Sequence, residues 1–135
     1  TNQIVAGASM GGLMSMKTSI LFPQFRNIIS LSPAFWFGYP SVLNDIKNLS
    51  NESSTYLYTG KKEGHIFGDH VKNIFPNNWD LDFSNNDDFY YSGVKNIKDS
   101  FDSNNKKVIF SFQDNGRHNE TSWATAILEI LGKLI

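Results

Sequence analysis

The sequence contains no cysteine, no long apolar run and no strong excess of charge of either sign. The absence of cysteine from 135 residues excludes a disulfide scaffold, a zinc-thiolate site and a cysteine nucleophile, but it does not determine the cellular compartment. The longest apolar runs, such as 28–31 and 127–131, are far shorter than the roughly 18 residues of a membrane-spanning helix. A net charge of -1 provides no field that would attract nucleic acid or an anionic membrane. We therefore expect a globular protein with no membrane span and no nucleic-acid partner.

The residues that are present suffice for one domain with a substantial core. The chain is 40% hydrophobic and 14% aromatic, and its 135 residues match the length of a single domain. Short apolar runs predict four strands, at 3–8, 27–31, 55–59 and 107–112, and helical spacing predicts four helices, at 11–21, 40–49, 88–101 and 120–134. The polar stretch 76–88 is interpreted as a surface excursion. The order βαβαβ(α)αβα predicts an α/β fold with a mostly parallel sheet.

The first predicted strand runs directly into a G-x-S-x-G motif at 7–11, and a predicted helix follows at once. Glycine two residues before and two residues after Ser9 lets the backbone turn sharply and raises the serine hydroxyl above the sheet. The turn also points the helix N-terminus at that hydroxyl, where the N–H of Met10 and the helix dipole would stabilise an oxyanion. The motif therefore indicates a nucleophilic serine. The alternative is a glycine-rich turn used for close packing or phosphate binding, but the sequence has no G-x-x-x-x-G-K-[ST] motif.

A nucleophilic serine needs a base, and the chain has 3 histidines. His118 lies in the turn-forming segment 114–120 after the last predicted strand, so it is expected at the same edge of the sheet as Ser9. His65 follows the third predicted strand by six residues, and His70 falls in a further segment predicted to be helical, with Asp69 and Lys72 around it. A solvated surface role is expected for these two. We therefore predict that His118 is the base.

The third member of such a site is a carboxylate that orients the imidazole and stabilises the imidazolium. Glu63 follows the third predicted strand and lies between the serine and the histidine in chain order. Asp69, six residues farther along, is the rival. Either could instead be an ordinary solvated loop carboxylate. Glu63 is the prediction.

Four segments together resemble a known family. They are IVAGASMGG at 4–12, ISLSPAFW at 29–36, GKKE at 60–63 and GRHNETSW at 116–123. On these segments the chain resembles the C-terminal half of an α/β-hydrolase, from the group that includes esterase D-like enzymes, feruloyl and acetylxylan esterases, siderophore-trilactone esterases and the mycolyltransferases. The resemblance implies a three-layer sandwich on a mostly parallel sheet.

The resemblance also implies a serine carboxylic-ester hydrolase that works through an acyl-enzyme on a small-molecule ester. Ser9 would be the nucleophile, His118 the base and Glu63 the acid. Met10 would supply one oxyanion N–H, and Trp36 would help to line the substrate pocket. No cofactor or metal is implied. The alternatives are an acyltransferase that uses the same residues with a sugar or lipid alcohol, and a catalytically silent binding domain that keeps the fold.

In this family the serine motif comes after about half of the domain, whereas here it begins at residue 7. The expectation is that 1–135 forms the C-terminal part of one domain, with the N-terminal half and any signal peptide lying outside this chain. The localisation is therefore not determined. The first strand would then have one unpaired side, and the following helix would expose Leu13, Met14, Met16 or Ile20. The chain is expected to need the other half or to self-associate.

Overall fold

The computed structural model describes residues 3–75, 81 and 84–135. Within these residues four parallel strands form one sheet in chain order, so each strand pairs with the next. The strands are β1 (Gln3–Ala8), β2 (Phe25–Leu31), β3 (Ser54–Gly60) and β4 (Lys107–Gln113). The helices are α1 (Met10–Leu21), α2 (Ser41–Asp45), α3 (Val71–Ile74), α4 (Asn86–Ser103) and α5 (Glu120–Leu134), with 3-10 turns at Phe35–Phe37, Ile46–Asn48 and Gly64–Phe67.

The predicted α/β fold with a parallel sheet is confirmed, with two local corrections. The predicted helix 40–49 is the short helix α2 followed by a 3-10 turn. Val42, Ile46 and Leu49 are buried along it, and their spacing suits either kind of turn, so the apolar pattern could not distinguish them. The predicted excursion 76–88 extends too far, because α4 begins at Asn86. Residues 76–80 and 82–83 lie outside the described part of the chain.

The start of α4 has a local cause. Asn85 has an extended backbone, and its side-chain oxygen accepts a hydrogen bond from the N–H of Asp88 at 2.8 Å. Asparagine at this position satisfies one of the unpaired N–H groups at the start of a helix. One asparagine of this asparagine-rich stretch, Asn85, therefore caps a helix.

The sheet is covered on both faces, and successive residues of its central strands alternate between two cores. Ile28 of β2 and Leu57 of β3 pack into the larger core, with side chains from α1 and α4. Ile29 of β2 and Tyr58 of β3 pack into the smaller core, against Ile130 and its neighbours on α5. The alternation follows from the two-residue repeat of a strand. It produces the three layers that the family resemblance implied.

The parallel direction of the strands brings their carboxyl ends to one edge of the sheet. Ser9 and Ser32 come directly after β1 and β2, and Glu63 and His118 follow β3 and β4 within short loops. All the polar groups of the candidate site therefore come from the same edge, which is where ligands bind in open α/β sheets.

Two glycines set how closely the last two of these loops approach. A Cβ atom on Gly60 would lie 2.2 Å from the carbonyl oxygen of Gly116, which is well inside van der Waals contact. The close approach lets the N–H of Lys62 donate to that same carbonyl at 2.9 Å. The loop after β3 and the loop after β4 are thereby joined, next to the residues that they carry.

The exposure expected along α1 is partly wrong. Met14 is 47% exposed, but Leu13 and Met16 are each only 2% exposed because they pack into the larger core. In the described sheet β1 pairs only with β2. Among the described residues, no helix combines the length and the apolar character needed to cross a bilayer.

Candidate active site

Ser9 occupies a strained turn between β1 and α1. Its φ of 58° and ψ of -121° are unusual for a residue other than glycine. Such a conformation costs on the order of 1–3 kcal/mol and persists only where the surroundings impose it. Here the N–H of Ser9 donates to the carbonyl of Leu31 at 2.9 Å, and its own carbonyl accepts from the N–H of Ala34 at 2.9 Å and of Gly12 at 3.0 Å. The turn is therefore held by the end of β2, by the chain that follows it and by the first turn of α1.

The two glycines of the motif differ in the space that surrounds them. A Cβ atom on Gly7 would lie 2.3 Å from the carbonyl oxygen of Gly11, so only glycine fits at position 7. A Cβ atom on Gly11 would meet nothing within 4 Å. The steric explanation of the motif therefore holds for the glycine before Ser9 and is wrong for the glycine after it.

His118 lies between β4 and α5 with its ring directed at Ser9. Its Nε2 atom is 2.9 Å from Ser9 Oγ, although the two residues are separated by 109 positions. Asn119 fixes the start of α5 by accepting the N–H of Ser122 at 3.0 Å. The N–H of His118 donates to Nε2 of His65 at 3.1 Å. The histidine is thus held on both its backbone and its ring.

Glu63 is fully buried and completes a hydrogen-bonded chain of three side chains. Its Oε1 atom is 2.8 Å from His118 Nδ1. Its Oε2 atom accepts from the N–H of Gly60 at 2.6 Å and from the hydroxyl of Ser32 at 2.6 Å, and the hydroxyl of Thr59 lies 3.1 Å away. A buried carboxylate is tolerated only with such partners. The alternative of a solvated loop carboxylate is therefore wrong for Glu63.

Asp69, the rival carboxylate, is exposed and bonds to its own loop. Its Oδ1 atom accepts from the N–H of His70 at 2.7 Å and from the side chain of Asn73 at 3.2 Å. His70 in turn caps α3, accepting the N–H of Lys72 at 3.1 Å. The structure brings Ser9, Glu63 and His118 together and leaves Asp69 and His70 outside this chain of hydrogen bonds. The catalytic roles of the three stay predictions.

Met10 and Trp36 have different surroundings. Met10 is the first residue of α1, so its N–H has no acceptor within the helix and stays available beside Ser9. Trp36 packs edge-on against the rings of Phe35, Phe67 and Tyr90 with centroid separations of 4.9–5.3 Å. It is therefore part of an aromatic cluster next to the larger core. Its role in a substrate pocket stays a prediction.

Besides Thr59 and Gly60, four residues contact the hydrogen-bonded set of Ser9, His118 and Glu63, and the sequence analysis assigned none of them to the site. Ser32 donates to Glu63, and the indole N–H of Trp123 donates to Ser32 Oγ at 3.0 Å. The rings of Trp123 and Tyr90 pack against the His118 ring at 4.8 and 5.5 Å between centroids. His65 is exposed, as predicted, and its Nε2 also accepts from the N–H of His118. A polar residue directly after β2 was the available signal for Ser32.

Burial and nearby charge shift the pKa values of three groups here. Burial, together with the charges of Glu63 and Glu129, raises the pKa of Tyr58 to about 12. Burial and Glu63 raise the pKa of Tyr90 well above its ordinary value. Both phenols therefore remain hydrogen-bond donors at neutral pH. Burial lowers the pKa of His65, and the positive charges of nearby groups lower it further, so its Nε2 stays available as an acceptor.

A cavity of about 480 Å³ opens at the loop after β3, and none of Ser9, Glu63 and His118 lines it. Its lining combines two glycines with polar and charged residues: Lys62, Gly64, His65, Gly68, Asp69, His70, Asn85, Asn86, Asp87 and Arg117. Two of its lining residues adjoin His118: His65 accepts a hydrogen bond from the His118 N–H, and Arg117 precedes His118 in the sequence. Within the described residues no group of three or more histidine, aspartate or glutamate side chains is placed to hold a metal ion.

No protein-family model matches the sequence, and no curated protein matches it significantly. Solved structures do match its fold. A ferulic acid esterase is 12% identical with a TM-score of 0.65, over 95% of this chain and 48% of that one. The capsule O-acetyltransferase of Neisseria meningitidis serogroup A is 13% identical with a TM-score of 0.63, over 98% and 57%. Siderophore hydrolase EstA from Aspergillus nidulans is 15% identical with a TM-score of 0.63, over 97% and 49%.

At these identities the likeness shows the fold. The protein has an α/β-hydrolase-type fold, as the resemblance of its sequence segments implied. The chain spans about half the length of the ferulic acid esterase and siderophore hydrolase structures that it matches.

Proposed function

We propose that this chain carries the catalytic residues of a serine carboxylic-ester hydrolase that acts through an acyl-enzyme. The observation that carries the proposal is the continuous chain from Ser9 Oγ to His118 Nε2 at 2.9 Å and from His118 Nδ1 to Glu63 Oε1 at 2.8 Å. A serine held in a strained turn, an imidazole within hydrogen-bond distance and a buried carboxylate behind it together activate a weak nucleophile. A structural role alone would not require the strained backbone of Ser9.

In the proposed reaction His118 Nε2 takes the proton of Ser9 as Oγ attacks the carbonyl carbon of the ester. Glu63 keeps the other imidazole proton on Nδ1 and stabilises the imidazolium that forms. The N–H of Met10 and the positive end of α1 face the oxyanion. Collapse of the tetrahedral intermediate breaks the ester bond, and the alcohol leaves with the proton from His118. Water then attacks the acyl-enzyme by the same steps and releases the acid.

Acyl transfer to an alcohol is a second candidate, and one observation favours it. A capsule O-acetyltransferase has the same fold, with a TM-score of 0.63. The two reactions use the same residues and differ only in whether water or an alcohol accepts the acyl group. Adding a simple sugar or alcohol to the assay separates them, because a transferase forms the new ester faster than it releases the free acid.

A fluorophosphonate probe tests the proposal. The full natural polypeptide that contains this sequence should be labelled on Ser9, and Ser9→Ala should remove the label. Ser30→Ala is a matched control, because Ser30 is equally a small hydroxyl near this edge but is buried against the carbonyl of Gly12 at 2.8 Å. Label that persists in Ser9→Ala would contradict the proposal by placing the reactive nucleophile elsewhere. No label in the folded wild type would also contradict it and would favour a catalytically silent binding domain.

A further inference from the structure

A polar side chain of the site follows each of the four strands, and the proposed mechanism uses only three of these four residues. Ser32, which follows β2, is the fourth. It is fully buried, and its φ of 44° lies in the left-handed region that side-chain-bearing residues rarely adopt. A residue kept in this conformation at the edge of a candidate active site indicates a role beyond packing.

The backbone of Ser32 is held on both sides. Its N–H donates to the carbonyl of Tyr58 at 2.7 Å. Its carbonyl accepts the buried hydroxyl of Tyr90 at 2.6 Å. These bonds join the end of β2 to β3 and to α4, so the position of the Ser32 hydroxyl is set by three elements of the fold.

The direction of the Ser32 hydroxyl bond follows from its two partners. The indole N–H of Trp123 is only a donor, so Ser32 Oγ must accept at this contact of 3.0 Å. The single hydroxyl proton is then directed at Glu63 Oε2, 2.6 Å away. This proton is committed to the carboxylate, which also makes Ser32 unsuitable as a nucleophile.

We propose that Ser32 is a positioning residue for the ester hydrolysis: its hydroxyl holds Oε2 of Glu63 so that Oε1 faces Nδ1 of His118. This inference rests on the proposed function. Trp123 takes part in two ways, because its N–H directs the Ser32 hydroxyl while its ring packs edge-on against His118. Buried partners of this kind keep a catalytic group in its working orientation.

A double-mutant cycle between Ser32→Ala and Glu63→Gln tests the proposal. The assay is the hydrolysis of p-nitrophenyl acetate. The concentration of active sites is measured by complete labelling with a fluorophosphonate, and kcat is calculated per labelled site, so that unfolded protein does not lower its value. Ser32→Ala should lower kcat about tenfold and leave KM unchanged. In the Glu63→Gln background the same change should alter kcat by less than about twofold, because Ser32 acts through the carboxylate that is already lost.

Ser30→Ala is the control, because it removes a buried hydroxyl from the same segment without touching Glu63. Its effect on kcat should be the same in both backgrounds. If Ser32→Ala does not fold, Trp123→Phe replaces it in the cycle, since it removes the directing N–H and keeps an aromatic ring. Equal losses from Ser32→Ala in the two backgrounds would overturn the positioning role. Hydrolysis that survives Ser9→Ala would instead overturn the proposed function, so the two failures are distinguishable.

Discussion

Replacing Glu63 by glutamine perturbs the candidate site at a fully buried position. In the wild type both carboxylate oxygens accept, Oε1 facing His118 Nδ1 and Oε2 facing the N–H of Gly60 and the hydroxyl of Ser32. Glutamine offers one acceptor and one donor instead. No orientation of its amide satisfies both sides.

The two orientations fail for different reasons. With the amide oxygen toward Gly60 and Ser32, the amide NH₂ donates to His118 Nδ1, which moves the imidazole proton to Nε2. His118 then cannot accept the proton of Ser9. With the amide reversed, the NH₂ meets the N–H of Gly60 at a position where the wild-type contact is 2.6 Å, and buried donors are left without acceptors.

The first orientation preserves the fold, so we expect it to dominate and to remove the base. A wrong tautomer in such a site lowers kcat about 10²- to 10⁴-fold, which corresponds to about 2.7–5.4 kcal/mol of transition-state stabilisation. The assay is kcat on p-nitrophenyl acetate for Glu63→Gln beside Asp69→Asn. The matched control removes an exposed carboxylate from the next loop and should change kcat by less than about twofold. A larger loss from Asp69→Asn than from Glu63→Gln would refute the reasoning.

Three further predictions concern the loops, the pH dependence and the edge of the sheet. Gly60→Ala should destabilise the fold by about 1–3 kcal/mol and lower kcat, because the new Cβ would lie 2.2 Å from the Gly116 carbonyl oxygen. Gly132→Ala is the control, because its Cβ would meet nothing within 4 Å and should change neither stability nor kcat. Equal free energies of unfolding for the two variants in denaturant would argue against this steric explanation. Burial lowers the pKa of His65 in the folded protein, so folding favours its neutral form. The contribution of His65 to the free energy of unfolding should therefore be fully present above its pKa in the unfolded chain, about 6.5, and should decline as the pH falls below that value. His65→Gln keeps an acceptor without a titrating ring and should reduce that decline in thermal unfolding; unchanged slopes would count against it. Because β1 pairs only with β2 in the sheet formed by the described residues, this chain alone should self-associate in analytical ultracentrifugation, and a stable monomer of 15.3 kDa would exclude that expectation.

Much of the fold could be predicted because the local signals agreed with it. β1 and α5 begin and end where the apolar pattern places them, and the other strands differ by one or two residues at their ends. The position of Ser9 followed from a strand, a motif and a helix in direct succession. Chain order and the parallel sheet then placed His118 and Glu63 at the same edge. These signals need only neighbouring residues and the direction of the strands.

The remaining contacts depend on pairs that are far apart in sequence. Ser32 meets Glu63 across 31 positions and Trp123 across 91, and no local periodicity encodes either approach. The contact between His65 and the His118 backbone spans 53 positions and depends on how the loops after β3 and β4 join. A Cβ atom on Gly11 would meet nothing within 4 Å, and the sequence could not predict this because it depends on how the folded turn packs. Tertiary packing decided these features.

Trapping the acyl-enzyme tests the central claim most directly. The protein is mixed with excess p-nitrophenyl acetate, quenched in acid within the first turnover, digested and analysed by mass spectrometry. We predict one acetyl group on the peptide that contains Ser9, with the fragment ions placing it on that serine, and no such adduct in Ser9→Ala. An acetyl group found on Ser32, or hydrolysis with no acetylated serine in any peptide, would contradict the account.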